Sequence, residues 1–145
     1  MSVLVVVPCS RRKIWDRVKN APVRVRARDA YVGPLTRLAI RYAESRGYPY
    51  VILSGKYGFL HPWEEIENYD QRLRLNRQFI LLLQRQVYVK RLYRYYKVLC
   101  LCPGRTYTTA TKLAFLNTGI QVECPLEGLD YIKAMKELSK MLSVE

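Results

Sequence analysis

Four short strand-like runs, residues 3–7, 50–53, 98–102 and 120–123, the first three apolar, alternate along the chain with segments long enough to be helices. That spacing restricts the fold more than any other feature. The first run, VLVVV, offers no polar residue to solvent on either side, the pattern of a strand covered on both faces as in the middle of a parallel sheet. After the first run, Pro34 begins a stripe of Leu35, Leu38, Ala39, Tyr42 and Ala43 at helical spacing, with Gly47 placed as its stop. From about 71 to 95 there is no Gly or Pro, and Phe79, Ile80, Leu83 and Val87 mark an apolar helix face. Threonines 106, 108 and 109 are placed to cap a helix reaching about residue 117, followed by Gly119. Leu129, Ile132, Met135, Leu138 and Leu142 supply a last inward face. The alternation predicts one α/β domain over 1–145, a three-layer α/β/α sandwich with a mainly parallel sheet of about four strands.

In such sheets ligands bind beyond the carboxyl ends of the strands. Here those ends lead into PCSRRK, SGKYG and CPGRTY, the most polar loops of the chain. Residues 9–28 carry eight basic side chains and a single acid, Asp16, without periodicity. A structureless loop of that length is expected to be functional or mobile.

Lysine and arginine number 25 against 12 acids, a net charge of +13. Such a field attracts polyanions, so nucleic acid or a nucleotide is the expected partner; solubility alone is the competing explanation. Arg11, Arg12, Arg17, Arg24 and Arg26 in the first loop, with Arg72, Arg74 and Arg77 in the acid-free segment 71–95, are the expected nucleic-acid contacts. The opening run is too short for a signal peptide or a membrane span, which predicts a cytoplasmic protein without a membrane partner. Cys9, Cys100, Cys102 and Cys124 show no CxxC spacing, so neither a metal nor another cofactor is expected. Cys100 and Cys102 are expected as core thiols.

Taken together, PCSRRK, ARDAYVGPL, ILSGKYGFLHPWEEIENYDQRL and PLEGL resemble the DUF6884 family, a domain family of unknown function. The match runs in order over most of the chain, and KYG followed by YD is its most specific part. PCSRRK is also similar to the proline-cysteine-serine-x-x-lysine motif of a domain in archaeosine synthase, a transfer RNA modification enzyme whose neighbourhood is uracil-DNA-glycosylase-like. That motif continues lysine-proline-tyrosine where this chain has Ile14-Trp15. These resemblances imply an α/β sandwich linked to nucleobase or nucleic-acid chemistry.

Cys9 and Ser10 follow the first strand beside Arg11, Arg12 and Lys13, a field that would lower a thiol's pKa and favour a nucleophile, or else simply hold an anion. A nucleophile also needs a base, and His61 is the sole histidine. Ser54, Lys56 and Tyr57 lie on a turn whose Gly55 and Gly58 permit close backbone approach to a ligand; Lys56 either meets an anion or bridges to Asp70. Asp70, after Tyr69, is positioned to cap the basic helix or to serve as a general base, with Glu64, Glu65 and Glu67 as alternative acids. Gly104, Arg105, Thr106 and Tyr107 precede a helix, where phosphate or nucleobase contact is plausible on electrostatic grounds. Tyr31, Tyr57, Tyr69 and Tyr107 are candidates for stacking on a base, against ordinary packing.

Three functions follow as expectations, the third being a small-molecule enzyme whose substrate is a free anion, for which the charge is incidental. The first is an enzyme acting on a nucleobase, nucleoside or nucleic acid by base release or exchange: Asp70 activates water or a nucleophile, Lys56 and Ser54 hold the reacting group, and the loop from Cys9 to Lys13 holds phosphate. The alternative is a non-catalytic DNA- or RNA-binding protein using the basic loop and helix.

Overall fold

The computed structural model describes residues 2–144. Its centre is a five-stranded sheet in the order β4-β3-β1-β6-β7, formed by β1 (Val3–Pro8), β3 (Tyr50–Ser54), β4 (Gly58–Leu60), β6 (Lys97–Cys100) and β7 (Gln121–Glu123). The four strands expected from the sequence are all parallel, and β4 folds back antiparallel on β3 as a fifth. Between glycine and proline, three residues of β4 read as loop in sequence.

Alternate side chains of β1 and β3 enter opposite cores, which is why their runs are almost wholly apolar. Val3, Val5 and Val7 join Ile52 and Leu101 beneath α3 (Pro34–Arg46) and α6 (Tyr131–Ser143). Leu4 and Val6 join Val51, Leu53 and Val98 beneath α4 (Arg77–Val89) and α5 (Arg105–Ala114). Helices therefore cover both faces, giving the three-layer sandwich. Leu4 is 1% exposed. Truncating such a leucine to alanine typically costs about 2–5 kcal/mol.

Caps fix the helix ends, in places not where the sequence suggested. Gly47, with φ 68°, closes α3 in the left-handed conformation that glycine adopts without strain. Asn76, not Asp70, caps α4, its side chain accepting from the Phe79 N–H at 2.8 Å. Residues 71–76 consequently lie outside the helix. α4 ends at Val89, before a separate 3-10 turn at Leu92–Arg94. Gly104 occupies the N-cap of α5 with no side-chain cap, so the threonines lie within the helix; Thr108 and Thr111 are buried there. The helix stops at Ala114, short of residue 117.

Residues 9–28 are not structureless. They form α1 (Ile14–Arg17), β2 (Arg24–Arg26) and the start of α2 (Ala27–Ala30). β2 pairs antiparallel with β5 (Glu65–Glu67), placing Arg24 opposite Glu67, Val25 opposite Ile66 and Arg26 opposite Glu65. All four cysteines are free, and Cys100 and Cys102 are core thiols. No helix among the described residues is long and apolar enough to cross a membrane.

Candidate functional site

β1 and β6 are neighbours, yet the chain leaves them in opposite directions: from β1 through α3 on one face to β3, from β6 through α5 on the other face to β7. Diverging connections open a crevice beyond the two carboxyl ends, the usual ligand position in sheets of this kind. Cys9 leaves β1 into that crevice and Tyr107 enters it from the first turn of α5; the Cys9 Sγ and Tyr107 Oη share a hydrogen bond of 3.1 Å.

Beside this contact lies a cavity of about 420 Å³, lined by Cys9, Ser10, Arg11, Lys13, Tyr69, Asp70, Gly104, Thr106 and Tyr107 and closed by Gln71, Arg72 and Leu73. The PCSRRK loop, Tyr69-Asp70 and the CPGRTY loop thus converge. A shallower recess of about 680 Å³ adjoins it, where Arg11, Lys13, Tyr69 and Asp70 recur beside Arg12, Asp16 and Asn68. The SGKYG loop packs through Gly55 against residues 71–73 of the wall. Gly55 makes that packing possible: a Cβ there would lie 2.6 Å from both the Gln71 carbonyl oxygen and the Leu73 nitrogen.

Lys13 is the most unusual residue of the cavity. It is 5% exposed. Its backbone bridges to Tyr31, and its own N–H donates to Asp16 Oδ2 at 2.9 Å, which ties it to the start of α1. Its Nζ donates to the Arg11 carbonyl at 3.1 Å and stands 4.4 Å from the centre of the Tyr69 ring. No carboxylate pairs with this ammonium among the described residues. A buried cation ordinarily has such a partner, because removing it from water is costly.

A hydroxyl network supports Tyr69. Its Oη meets the Tyr31 Oη at 2.6 Å and the Ser54 Oγ at 2.8 Å. Ser54 Oγ also accepts the N–H groups of Lys56 at 3.2 Å and Tyr57 at 3.0 Å. Burial pushes the Tyr69 hydroxyl up to about 12 and raises those of Tyr31 and Tyr107 further. Burial also raises the Cys9 thiol, with the Tyr107 hydrogen bond and the Lys13 charge only partly opposing it. The lowered thiol pKa expected from the basic loop is therefore reversed.

The remaining candidates divide by position. Tyr31 and Ser54 are fully buried, so they support Tyr69 instead of facing a ligand. Tyr57 packs edge-on against Tyr69, and Gly58 is buried in β4. Lys56 is exposed, 5.2 Å from the Tyr57 ring centre, and makes no ion pair with Asp70. Arg72 and Arg74 lie in the 71–76 segment and border a further recess. Arg77 begins α4; Arg17 lies on α1 and is exposed. Arg24 is paired with Glu67 at 3.3 Å, and Arg26 faces Glu65 across the ribbon. Arg105 extends toward Gly128.

His61 stacks on Trp63, its ring centre 4.4 Å away, and lines none of these cavities. Glu64 is held by Lys90 at 2.6 Å, and Glu65 and Glu67 belong to β5. Asp70 is left as the carboxylate lining the main cavity. Asp16, Gln71 and Leu73 were not expected at the site; Leu73 and Leu75 both alternate with polar residues there, and sequence does not tell that Leu73 is the buried one.

The DUF6884 model, described as a family of unknown function, matches residues 4–140. An uncharacterised protein of Bacillus subtilis (strain 168), YfjM, is 44% identical over 71 residues, which are 48% of this chain and 47% of that protein. The chain thus aligns with about half the length of this curated relative. No solved structure matches it.

Proposed function

The chain belongs to the DUF6884 family, and from that premise we propose that its cavity receives a phosphoryl group of a nucleotide or nucleic acid. The single observation that carries this reading is Lys13, a buried ammonium without a carboxylate partner among the described residues, lining an open cavity beside Arg11. A phosphate oxygen supplies the missing counter-charge, and the low-dielectric surroundings make the pairing stronger than it would be in water. Isothermal titration with inorganic phosphate, nucleoside monophosphates and short oligonucleotides tests it. Binding to the native protein and its loss in Lys13→Met are expected; no heat with any phosphorylated probe overturns the reading.

Asp70 favours a catalytic form of the same proposal. As the carboxylate lining the main cavity it is available to take a proton from water or another nucleophile attacking the sugar carbon as the nucleobase leaves. Chromatography of nucleotides and oligonucleotides incubated with the protein is expected to reveal free base. The product is expected to vanish in Asp70→Asn while phosphate binding persists. Exposed Arg77 and Arg85 on α4 favour the non-catalytic alternative, a grip on the nucleic-acid backbone. Its signature is affinity that falls steeply with salt and survives Lys13→Met.

A further inference from the structure

Cys9 and Tyr107 also line a second recess. It measures about 280 Å³ and is walled by Leu35, Thr36, Cys102, Pro103 and Tyr131. Charged groups are nearly absent from this wall, Arg11 being the exception. The start of α3 forms its floor at close range: a Cβ on Gly33 would stand 2.6 Å from the Ser10 Cβ, so only glycine lets the helix approach the loop this closely. Tyr131, the first residue of α6, is 51% exposed and forms the lip.

Resting on the phosphate reading above, we infer that this recess receives the ring of a nucleobase, so that the two chambers together hold one nucleoside monophosphate unit. The chambers meet along Cys9, Ser10, Arg11, Gly104 and Tyr107. One is basic and contains the unpaired Lys13; the other is largely apolar. A ligand filling both has an anionic group joined through a short linker to a flat, weakly polar ring, which is the build of a mononucleotide. The apolar chamber is smaller than the roughly 300–1,000 Å³ usual for sites taking drug-sized molecules, so it suits a single ring system. The exposed face of Tyr131 offers a stacking surface that accepts any base. The unit is either a free nucleotide or the phosphorylated end of a strand, since both present the same chemistry to the two chambers.

The test compares affinities by titration calorimetry for ribose 5-phosphate, the four nucleoside 5′-monophosphates and a 5′-phosphorylated tetranucleotide. The monophosphates are expected to bind about tenfold or more tighter than ribose 5-phosphate, the difference being the ring. Tyr131→Ala, a surface change outside the phosphate chamber, is expected to shrink that ratio while leaving ribose 5-phosphate affinity unchanged. Lys13→Met is expected to weaken both probes alike. Tighter binding of the monophosphates identifies a free nucleotide, and tighter binding of the tetranucleotide identifies a strand end, either supporting the two-chamber site. Equal affinities for ribose 5-phosphate and the monophosphates overturn the inference while the phosphate reading stands. Absence of binding by every phosphorylated probe overturns both.

Discussion

Cys9 and Tyr107, 98 positions apart in the chain, are joined side chain to side chain at 3.1 Å. Both residues line a basic chamber and a largely apolar one, and desolvation raises the Cys9 thiol above its ordinary value. Iodoacetamide labelling followed by peptide mapping near neutral pH is expected to modify Cys9 about tenfold or more slowly than in the denatured chain, because the thiolate is the reactive form. Rates that match the denatured chain contradict a half-buried, protonated Cys9.

The Tyr69 cluster predicts alkaline sensitivity. Burial raises the Tyr69 hydroxyl from its ordinary value of 10.0 to about 12, so the folded protein keeps its proton where the unfolded chain loses one. The resulting stability is fully present below about pH 10 and is lost as pH climbs from there through the folded value. Urea unfolding at a series of pH values measures it. Tyr69→Phe is expected to cost about 1–2 kcal/mol at neutral pH, through the orphaned Ser54 and Tyr31 hydroxyls, and to make the alkaline decline shallower. An unchanged alkaline slope argues that Tyr69 is not the titrating group.

Gly55→Ala brings a methyl group against the main chain of 71–73, where no flexible side-chain end is available to yield. The expected loss is about 1–3 kcal/mol. Because that stretch closes the main cavity, ligand affinity is expected to fall in the same variant. Thermal unfolding together with titration checks both, and a variant as stable and as tight-binding as the native protein refutes the close approach.

For Lys13→Met the two properties are expected to separate. Replacing a buried charge that has no carboxylate partner among the described residues with an apolar chain of similar length is often neutral or stabilising, so the unfolding free energy is expected within about 1 kcal/mol of native, or above it. Phosphate binding is expected to disappear. Denaturant titration that finds a loss of several kcal/mol instead identifies Lys13 as a structural residue.

The central strands were legible because burial on both faces leaves an unbroken apolar run, as at Val3 to Val7, and because Pro34, Gly47 and the stripe of α3 are local signals. The start of α4 was not. Nothing in residues 71–76 forbids a helix; what keeps them extended is contact with Gly55 and the cap at Asn76, and the first of these exists only after folding. β2 and β5 escaped for a related reason: each is three residues long, and they find each other across 43 positions between Arg24 and Glu67. Within the site, Cys9, Lys13 and Tyr107 were visible from their places after strands and before helices. That Ser54 and Tyr31 stand behind Tyr69, out of a ligand's reach, depends on side-chain directions that residue type and order do not specify.

The β2–β5 ribbon also has a mechanical role. Its two strands staple the stretch that begins with Lys13 to the stretch that ends at Asp70, so both walls of the basic chamber are braced before anything enters it. On the proposed phosphate reading, a ligand meets walls already in place and spends little of its affinity on arranging them. Damage to the staple, far from any bound molecule, would therefore surface first as weakened recognition.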